Sequence, residues 1–372
     1  MTNSVEYCDI SDSYSKHHLQ NVDLAVGAIP SLFTSEVMES AWVSAYQSTN
    51  HSLYGDFRGE LKLKCAIEKM TGTTRAQLLI TNGASESISI VYMVLRALNR
   101  NLRSFIPESS FPSFFKIAEA LSIELHRYAI FNLSSPFLSH ELFERLDLRR
   151  NDVVWINSPG NPSGTGICRA TLQSILNHTQ ESGTFVVLDD VYGSMYFQPN
   201  IAPIIDKTYL EQYPNLIVIS SLGKLLGQSG IRVGYIATNN KKLLNEFSSL
   251  KCHLSMCTGR VNQFYAARLL EHLDESLLDQ RRLSLLRNFS RLRSAFISSG
   301  FQVAESCGGP FLSAFRESTT RPTENILGDL GILSIPLRMF GAERNGARLC
   351  IAKNNVTISE ICNRLTSLKK EN

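Results

Sequence analysis

The sequence predicts an α/β fold, in which a mostly parallel β-sheet carries helices on both faces and a smaller α+β domain is attached. Two observations indicate the sheet. From about residue 77, short apolar segments alternate with amphipathic ones along the chain, and within each apolar segment the apolar residues follow one another instead of alternating with polar residues. Continuously apolar strands are typical of a sheet that is buried on both faces. A third observation is the length, because 372 residues suit a large domain with a smaller companion.

Seven segments have the length and composition of buried strands. They are residues 77–82, 103–107, 123–130, 152–158, 184–190, 215–221 and 232–238. The segments 85–98, 113–122 and 170–180 between them have the spacing of amphipathic helices, and Gly183 is a stop signal for the last of these. This alternation of strand and helix predicts a seven-stranded, mostly parallel sheet.

The pattern changes after about residue 245. It becomes helical over 261–273 and 277–299, turns β-rich in short segments up to residue 352, and closes with a helix. We therefore predict a large domain over residues 46–250 and a small domain formed by residues 1–45 and 251–372.

Composition and charge exclude several classes of protein. The net charge of +3 is small for this length and predicts no nucleic-acid partner. No apolar run approaches the roughly 20 residues that cross a bilayer, and the first residues lack the pattern of a secretory signal. The eight cysteines form no CxxC pair. We expect a cytoplasmic protein with reduced thiols, no membrane partner and no metal site.

Candidate functional residues follow the predicted strands. In open α/β sheets, ligands bind beyond the carboxyl ends of the strands. The polar or flexible residues at those positions are 83–85, Asn161, Asp189, Tyr192 and Lys224. We expect their side chains to meet at one edge of the sheet.

The segment 220–235 places a lysine directly after a strand. A lysine there is usually solvated, but Ser221, Lys224 and Arg232 resemble the S-x-x-K-x(7)-R signature of the class I/II aminotransferases, which are fold-type I enzymes dependent on pyridoxal phosphate (PLP). The resemblance implies that Lys224 binds PLP as a Schiff base and that Ser221 and Arg232 bind its phosphate. Burial lowers the pKa of such an amine, and a guanidinium binds phosphate bidentately. The family's usual serine before the lysine is Gly223 here.

The segment 188–193 resembles the family's D-x-x-Y motif. Two acids after a strand are more often solvated or capping, but the resemblance implies that Asp189 pairs with the pyridine nitrogen of PLP and that Tyr192 donates to its O3′. A buried carboxylate keeps the ring protonated, so that the ring withdraws electrons from the substrate. Asp190 is expected to act through Asp189.

Two loops resemble further cofactor contacts of the family. Asn161 lies in a Pro/Gly turn and, by the resemblance, bonds to O3′. Gly83, Ala84 and Ser85 lead from a strand into a helix, where an ordinary N-cap or a phosphate-binding N-terminus is possible. Phe111 is either a core residue or the ring that stacks on the pyridine.

Two more motifs concern the partner subunit and the substrate. Tyr54 resembles the tyrosine that reaches the phosphate in the neighbouring subunit, which implies a homodimer with shared active sites. Arg348 resembles the arginine that binds the substrate α-carboxylate, with Arg338 as a weaker competitor in a segment that departs from the family pattern. The resemblance also implies substrate contacts from Gly27 and Asn161.

The resemblance covers residues 22–370 and predicts an enzyme that acts on a small-molecule L-amino acid. Transamination is the commonest reaction of the family, whereas a PLP-dependent lyase or cyclase is the alternative, because fold does not decide reaction. A non-catalytic regulator is also conceivable, but no DNA-binding segment precedes residue 22. The acids Glu6, Asp9 and Asp12 either cover the pocket or are solvated.

Overall fold

The computed structural model describes residues 22–131, 133–203, 205–317 and 319–370. The acids at positions 6, 9 and 12 lie outside the described residues. The α-helices are α1 Ser35–Gln47, α2 Leu61–Thr71, α3 Ala84–Leu98, α4 Ser113–Ala120, α5 His140–Glu144, α6 Arg169–Ser182, α7 Lys207–Gln212, α8 Leu222–Leu225, α9 Lys241–Ser255, α10 Arg260–Glu271, α11 Glu275–Ser298, α12 Thr323–Asp329 and α13 Asn355–Thr366. None of the described helices is long and apolar enough to span a bilayer.

The strands form three sheets. They are β1 Val22–Asp23, β2 Leu78–Thr81, β3 Arg103–Pro107, β4 Glu124–Tyr128, β5 Val153–Asn157, β6 Phe185–Asp189, β7 Leu216–Ser221, β8 Gly234–Ala237, β9 Gln302–Val303, β10 Phe311–Phe315, β11 Ile332–Leu333, β12 Ile335–Pro336 and β13 Gly346–Cys350. Short 3₁₀ helices cover Arg75–Gln77, Gly193–Met195, Pro199–Ile201, Ser229–Ile231, Leu337–Phe340 and Ser367–Lys370.

The large sheet has seven strands in the order β2-β8-β7-β6-β5-β3-β4. Strand β8 runs antiparallel to both of its neighbours, and the other pairings are parallel. Because β8 is reversed, its first residues lie beside the last residues of its neighbours, so that Gly234 pairs with both Thr81 and Ser221. The prediction of a seven-stranded, mostly parallel sheet is confirmed.

Both faces of the large sheet are buried except at the edge strand β4, where Glu124 and Arg127 are exposed, so the prediction of a buried strand over 123–130 is wrong. Burial of the other strands explains why they are largely apolar. On β6, Val186 and Leu188 belong to one hydrophobic cluster, and Val187 points into another. Helices α6 and α10 contribute to the first cluster, while α3, α4 and α9 contribute to the second. Each fully buried aliphatic side chain contributes about 1.5–3 kcal/mol relative to exposure.

The smaller part of the molecule has its own core and its own sheet. Strands β12-β13-β10-β9 form an antiparallel sheet, and β1 pairs with β11 in a separate parallel ribbon. Helices α11 and α13 pack on this sheet through a hydrophobic cluster that includes Phe289 and Ile358.

The helices α1 and α10, which the predicted boundaries assign to the small domain, pack on the large sheet through Ala41 and Tyr265. The domain limits at residues 46 and 250 stay a prediction. Helices α1, α2 and α9 lie outside the segments predicted to be helical, although each of them buries apolar residues four positions apart.

Candidate active site

A cavity of about 340 Å³ lies at the carboxyl edge of the large sheet. It is lined by Val26, Gly27, Ala28, Ala84, Ser85, Ile88, Phe111, Asn161, Asp189, Val191, Tyr192, Ser221, Lys224, Ser229, Arg232, Phe311 and Arg348. These residues come from the loops or elements that follow β1, β2, β3, β5, β6 and β7, and from β10 and β13 of the smaller sheet. The cavity therefore lies between the carboxyl edge of the large sheet and the smaller sheet, and ligand sites of open α/β sheets are expected at that edge.

Lys224 enters the cavity from the short helix α8, which begins directly after β7. Its Nζ donates to the carbonyl oxygen of Gly27 at 2.8 Å. Burial lowers the pKa of the Lys224 amine, and the nearby charges of Arg348 and Arg232 lower it further. A lysine with a lowered pKa is more often neutral, and hence nucleophilic, near physiological pH.

Asp189 ends β6 and is 9 % exposed. Its Oδ2 accepts a hydrogen bond from Nδ2 of Asn157 at 2.6 Å, and its Oδ1 accepts one from the amide of Val191 at 3.2 Å. Burial raises the pKa of Asp189 to about 7. Burial and the charge of Asp189 raise the pKa of Asp190 to about 8. A cation bound next to Asp189 would stabilise its charged form and lower that pKa again.

The opposite part of the cavity is suited to an anion. Ala84 and Ser85 are the first residues of the 15-residue helix α3, whose leading amides have no acceptor within the helix. The guanidinium of Arg232 lies near the start of α3, where it donates to the carbonyl oxygens of Asn82 and Ser229, each at 3.3 Å. The buried Ser221 at the end of β7 completes this group.

Gly83 does not line the cavity itself but makes this anion site possible. It precedes α3 with a φ of +86°, a conformation that favours glycine. A Cβ at this position would lie 2.8 Å from Nη2 of Arg232. Any larger residue would therefore push the guanidinium away from the start of α3.

Arg348 lies on β13 and is 2 % exposed. Its guanidinium lies over the ring of Phe311, with Cζ 4.3 Å from the ring centroid, and 4.9 Å from that of Phe340. Its Nη1 donates to Oδ1 of Asn161 at 3.2 Å, and its Nη2 donates to the carbonyl oxygen of Ala25. The two rings and two hydrogen bonds hold the planar fork in one orientation.

The remaining predicted residues also lie at the cavity wall. Tyr192 is buried, with its ring edge-on to that of Phe311 at 5.5 Å. Gly27 allows the close approach of Phe311, since a Cβ there would lie 3.0 Å from Cζ of that ring. Phe111 lines the cavity and also packs against the hydrophobic cluster beneath it, and its stacking on the cofactor ring stays a prediction.

Two sequence candidates lie away from the cavity. Arg338 is largely exposed and forms an ion pair with Glu324. Tyr54 is 82 % exposed and lines a separate groove with Arg260. A contact between Tyr54 and a cofactor phosphate requires a second chain and stays a prediction.

Sequence reasoning missed Ser229 and Phe311, which both line the cavity. Phe311 was assigned to a strand, and nothing in its local pattern indicates that the ring would lie over Arg348. Ser229 falls within the spacer between Lys224 and Arg232, so its position could have been suspected from the motif.

Comparison with known proteins gives consistent results. The family model described as "Aminotransferase class I and II" matches residues 20–365. A histidinol-phosphate aminotransferase of Thermotoga maritima is 25% identical over 287 residues, covering 76% of this chain and 75% of that protein. An aspartate aminotransferase of the same organism is 26% identical over 235 residues, or 61% of this chain and 60% of that protein. A crystal structure of an aspartate aminotransferase from Thermotoga maritima superimposes with a TM-score of 0.82 at 20% identity, covering 98% of this chain and 96% of that one.

The fold, the lysine-bearing cavity and the match over nearly the whole chain place it in the class I and II aminotransferase family. It is an aminotransferase that depends on pyridoxal phosphate.

The residues of the cavity fit this cofactor. A buried carboxyl, Asp189, suits the ring nitrogen, and the amine of Lys224 suits covalent attachment. The hydroxyl of Ser229 is buried without a hydrogen-bond partner among the described residues, and the carbonyl oxygen of the same residue accepts from Arg232. Together with Gly83, which leaves room for Arg232, this region is suited to a phosphate.

Proposed function

We propose that the chain transfers the amino group of an L-amino acid, with Lys224 as the covalent attachment point and proton carrier. The observation that supports this most strongly is the convergence of Lys224, Asp189, Arg232 and Arg348 on one cavity. Asp189 and Arg348 lie on β6 and β13, whereas Lys224 lies in α8 and Arg232 lies just before β8. The pyridoxal phosphate supplies an aldehyde for the lysine and a ring that withdraws electrons from the substrate α-carbon.

Each side chain has a proposed role. The partly buried Lys224 amine, freed when the substrate amine binds, accepts the proton from the substrate α-carbon, since its pKa is lowered. Asp189 holds a proton on the ring nitrogen through a charge pair. Tyr192 and Asn161 would hold the ring through O3′, Phe111 would stack on it, and Arg232, Ser221 and the start of α3 would hold the phosphate.

Arg348 is proposed to bind the substrate α-carboxylate. Its guanidinium lies over the ring of Phe311, and its two Nη atoms donate to Asn161 and Ala25. A carboxylate that binds this fork bidentately would be fixed in one plane, with the α-hydrogen directed towards Lys224. Gly27, whose carbonyl oxygen accepts from Lys224, lies on the same side of the cavity.

The part of the cavity wall that has no role assigned above favours an uncharged substrate side chain. Once the polar residues above are assigned, the described lining leaves Val26, Ala28, Ile88, Val191 and Phe311, which carry no charge. A carboxylate or phosphate on the side chain would lose its hydration against these residues without a compensating ion pair. We therefore propose a neutral aliphatic or aromatic side chain.

The test is a single-turnover assay of the purified protein loaded with pyridoxal phosphate, without any amino acceptor. The substrates are L-leucine, L-phenylalanine, L-aspartate and histidinol phosphate, of which the last two are taken from the names of the relatives. We expect one keto acid per active site from a neutral amino acid, and further turnover only after a keto acid is added. Lys224→Ala is the inactive control. Continuous turnover without an acceptor, with loss of a leaving group, would identify a lyase or cyclase instead.

We also propose that the enzyme is a cytoplasmic homodimer with shared active sites. Support for the dimer comes from exposed apolar side chains in the segment 46–61, which includes Tyr54; among them are Leu53, Leu61 and Tyr46, which are 61 %, 64 % and 57 % exposed. Apolar surface of this kind is usually covered by another chain. The described cysteines are all free, as is usual in a reducing compartment.

A further inference from the structure

The hydroxyl of Ser229 is buried in the wall of the cavity without a hydrogen-bond partner among the described residues. A buried hydroxyl that is left unpaired is costly, so such groups usually have a ligand or a water as their partner. Ser229 opens the 3₁₀ helix Ser229–Ile231, and its own carbonyl oxygen accepts from Nη1 of Arg232 at 3.3 Å. The residue that carries the unpaired hydroxyl is therefore in contact, through its backbone, with the cation that is suited to a phosphate.

Gly223 explains how the Ser229 hydroxyl is held in this position. The amide of Gln228 donates to the carbonyl oxygen of Gly223 at 2.8 Å, which folds the loop back onto α8. A Cβ on residue 223 would lie 3.1 Å from Cα of Ser229 and 3.2 Å from the carbonyl oxygen of Gln228. Because Gly223 has no side chain, it leaves the space that the backbone of Ser229 occupies.

We propose that Ser229 is a ligand of the cofactor phosphate, in addition to Ser221, Arg232 and the start of α3. This inference rests on the proposed placement of the cofactor in the cavity. The hydroxyl donates to a phosphate oxygen, which satisfies the buried group and adds a charge-assisted hydrogen bond. Gly223 carries no hydroxyl, so the loop supplies one from residue 229, five positions after Lys224.

The test measures cofactor affinity rather than activity. The dissociation constant of pyridoxal phosphate is measured on the apo-protein by fluorescence quenching, for the native chain, Ser229→Ala and Ser229→Thr. We expect Ser229→Ala to weaken binding by about tenfold or more, and Ser229→Thr to stay within about threefold of the native chain, because threonine keeps the hydroxyl. Pyridoxal without its phosphate should bind equally to all three.

Ser334→Ala is the matched control, because its hydroxyl is also buried without a partner among the described residues but lies outside the cavity. This variant should bind pyridoxal phosphate like the native chain. A second measurement uses inorganic phosphate alone, which should raise the Tm of the native apo-protein more than that of Ser229→Ala.

The possible outcomes separate this inference from the proposed function. If Ser229→Ala binds pyridoxal phosphate within twofold of the native chain while borohydride still attaches the cofactor to Lys224, the assignment of Ser229 is wrong and the proposed function stands. If borohydride attaches the cofactor to another lysine, the proposed placement of the cofactor is wrong as well. An equal loss of pyridoxal and pyridoxal phosphate affinity in Ser229→Ala would indicate a general loss of the cavity and would also overturn the assignment.

Discussion

Asp189 is a buried carboxyl whose pKa is raised to about 7 from an ordinary value of 3.8. Because the folded protein holds this proton more tightly than the unfolded chain, the contribution of Asp189 to stability is largest below about pH 4 and is lost as the pH rises through about 7. At neutral pH the apo-protein therefore carries a destabilising buried charge on Asp189, which a protonated ring nitrogen would neutralise.

The first prediction concerns Asp189→Asn. The variant removes the buried charge, and Asn157 can rotate its amide so that Oδ1, which has no partner among the described residues, accepts from the new side chain. We expect the apo-protein to become more stable at pH 8 by about 1 kcal/mol or more, with little change at pH 4. Proton removal from the substrate should slow by at least about 100-fold, which corresponds to several kcal/mol of lost transition-state stabilisation.

Urea unfolding at both pH values and single-turnover kinetics measure these effects. Asp190→Asn is the control, because its pKa is raised to about 8 by burial and by Asp189 but it does not line the cavity. It should stabilise the apo-protein similarly and lose far less activity. Near-native turnover of Asp189→Asn would show that the ring nitrogen lies elsewhere.

The second prediction concerns Arg348→Lys. A lysine has a single charged head and cannot stack on Phe311 while bonding to both Asn161 and a carboxylate. We expect KM to rise and kcat to fall together, with kcat/KM lower by at least about tenfold. Arg338→Lys is the matched control, since Arg338 is exposed and paired with Glu324 outside the cavity. Equal effects of the two variants would contradict the assignment of Arg348.

At the scale of elements, the start of α3 is anchored to α9 by a buried ion pair. Lys251 is 0 % exposed, and its Nζ lies 3.1 Å from Oε2 of Glu86. Glu86 also accepts from the amide of Asn82 and from the hydroxyl of Ser255, each at 2.6 Å. This network holds the loop that leads into the proposed phosphate site, so its loss should affect both stability and cofactor binding.

The third prediction is that Lys251→Met destabilises the protein by about 3–5 kcal/mol, because the partly buried Glu86 loses its cation. The double variant Lys251→Met, Glu86→Gln should be more stable than the single one, since no uncompensated charge remains. Lys116→Met is the control, because Lys116 forms an exposed pair with Glu119 and should change stability by less than about 1 kcal/mol. Urea unfolding measures all three variants, and additive effects in the double variant would contradict the proposed coupling.

At the scale of the whole molecule, the position of Tyr54 is informative. Its side chain is 82 % exposed and lies in a groove with His51 and Arg260, outside the cavity of its own chain. If two chains associate through this surface with two-fold symmetry, each cavity receives the Tyr54 of the partner.

The fourth prediction follows from that arrangement. Mixed dimers of a Lys224→Ala chain and a Tyr54→Phe chain contain one site with both native residues. After unfolding and refolding together, the mixture should regain up to about a quarter of native activity, since half of the dimers are mixed and one of their two sites is complete. Activity no greater than the sum of the separate variants, or a monomer in analytical ultracentrifugation, would rule out shared sites.

The sequence alone determined where the strands lie along the chain and which residues stand at their ends. These features are local: the buried strands need largely apolar segments, Asp189 ends one of them, and Lys224 and Asn161 follow two others within four residues. In a parallel sheet the carboxyl ends meet at one edge, so local spacing was sufficient to group these residues.

Only the tertiary structure decided which residues from distant segments reach the cavity. Phe311 and Arg348 lie on β10 and β13 of the smaller sheet, and they reach the cavity because that sheet packs beside the large one. The structure places Arg348, which the sequence already favoured over Arg338, in the cavity wall, and the burial of the unpaired Ser229 hydroxyl depended on the loop folding back onto Gly223. Contacts between residues so far apart, or set by a loop's detailed path, leave no periodic signal in the sequence, because they arise from packing rather than from local propensity.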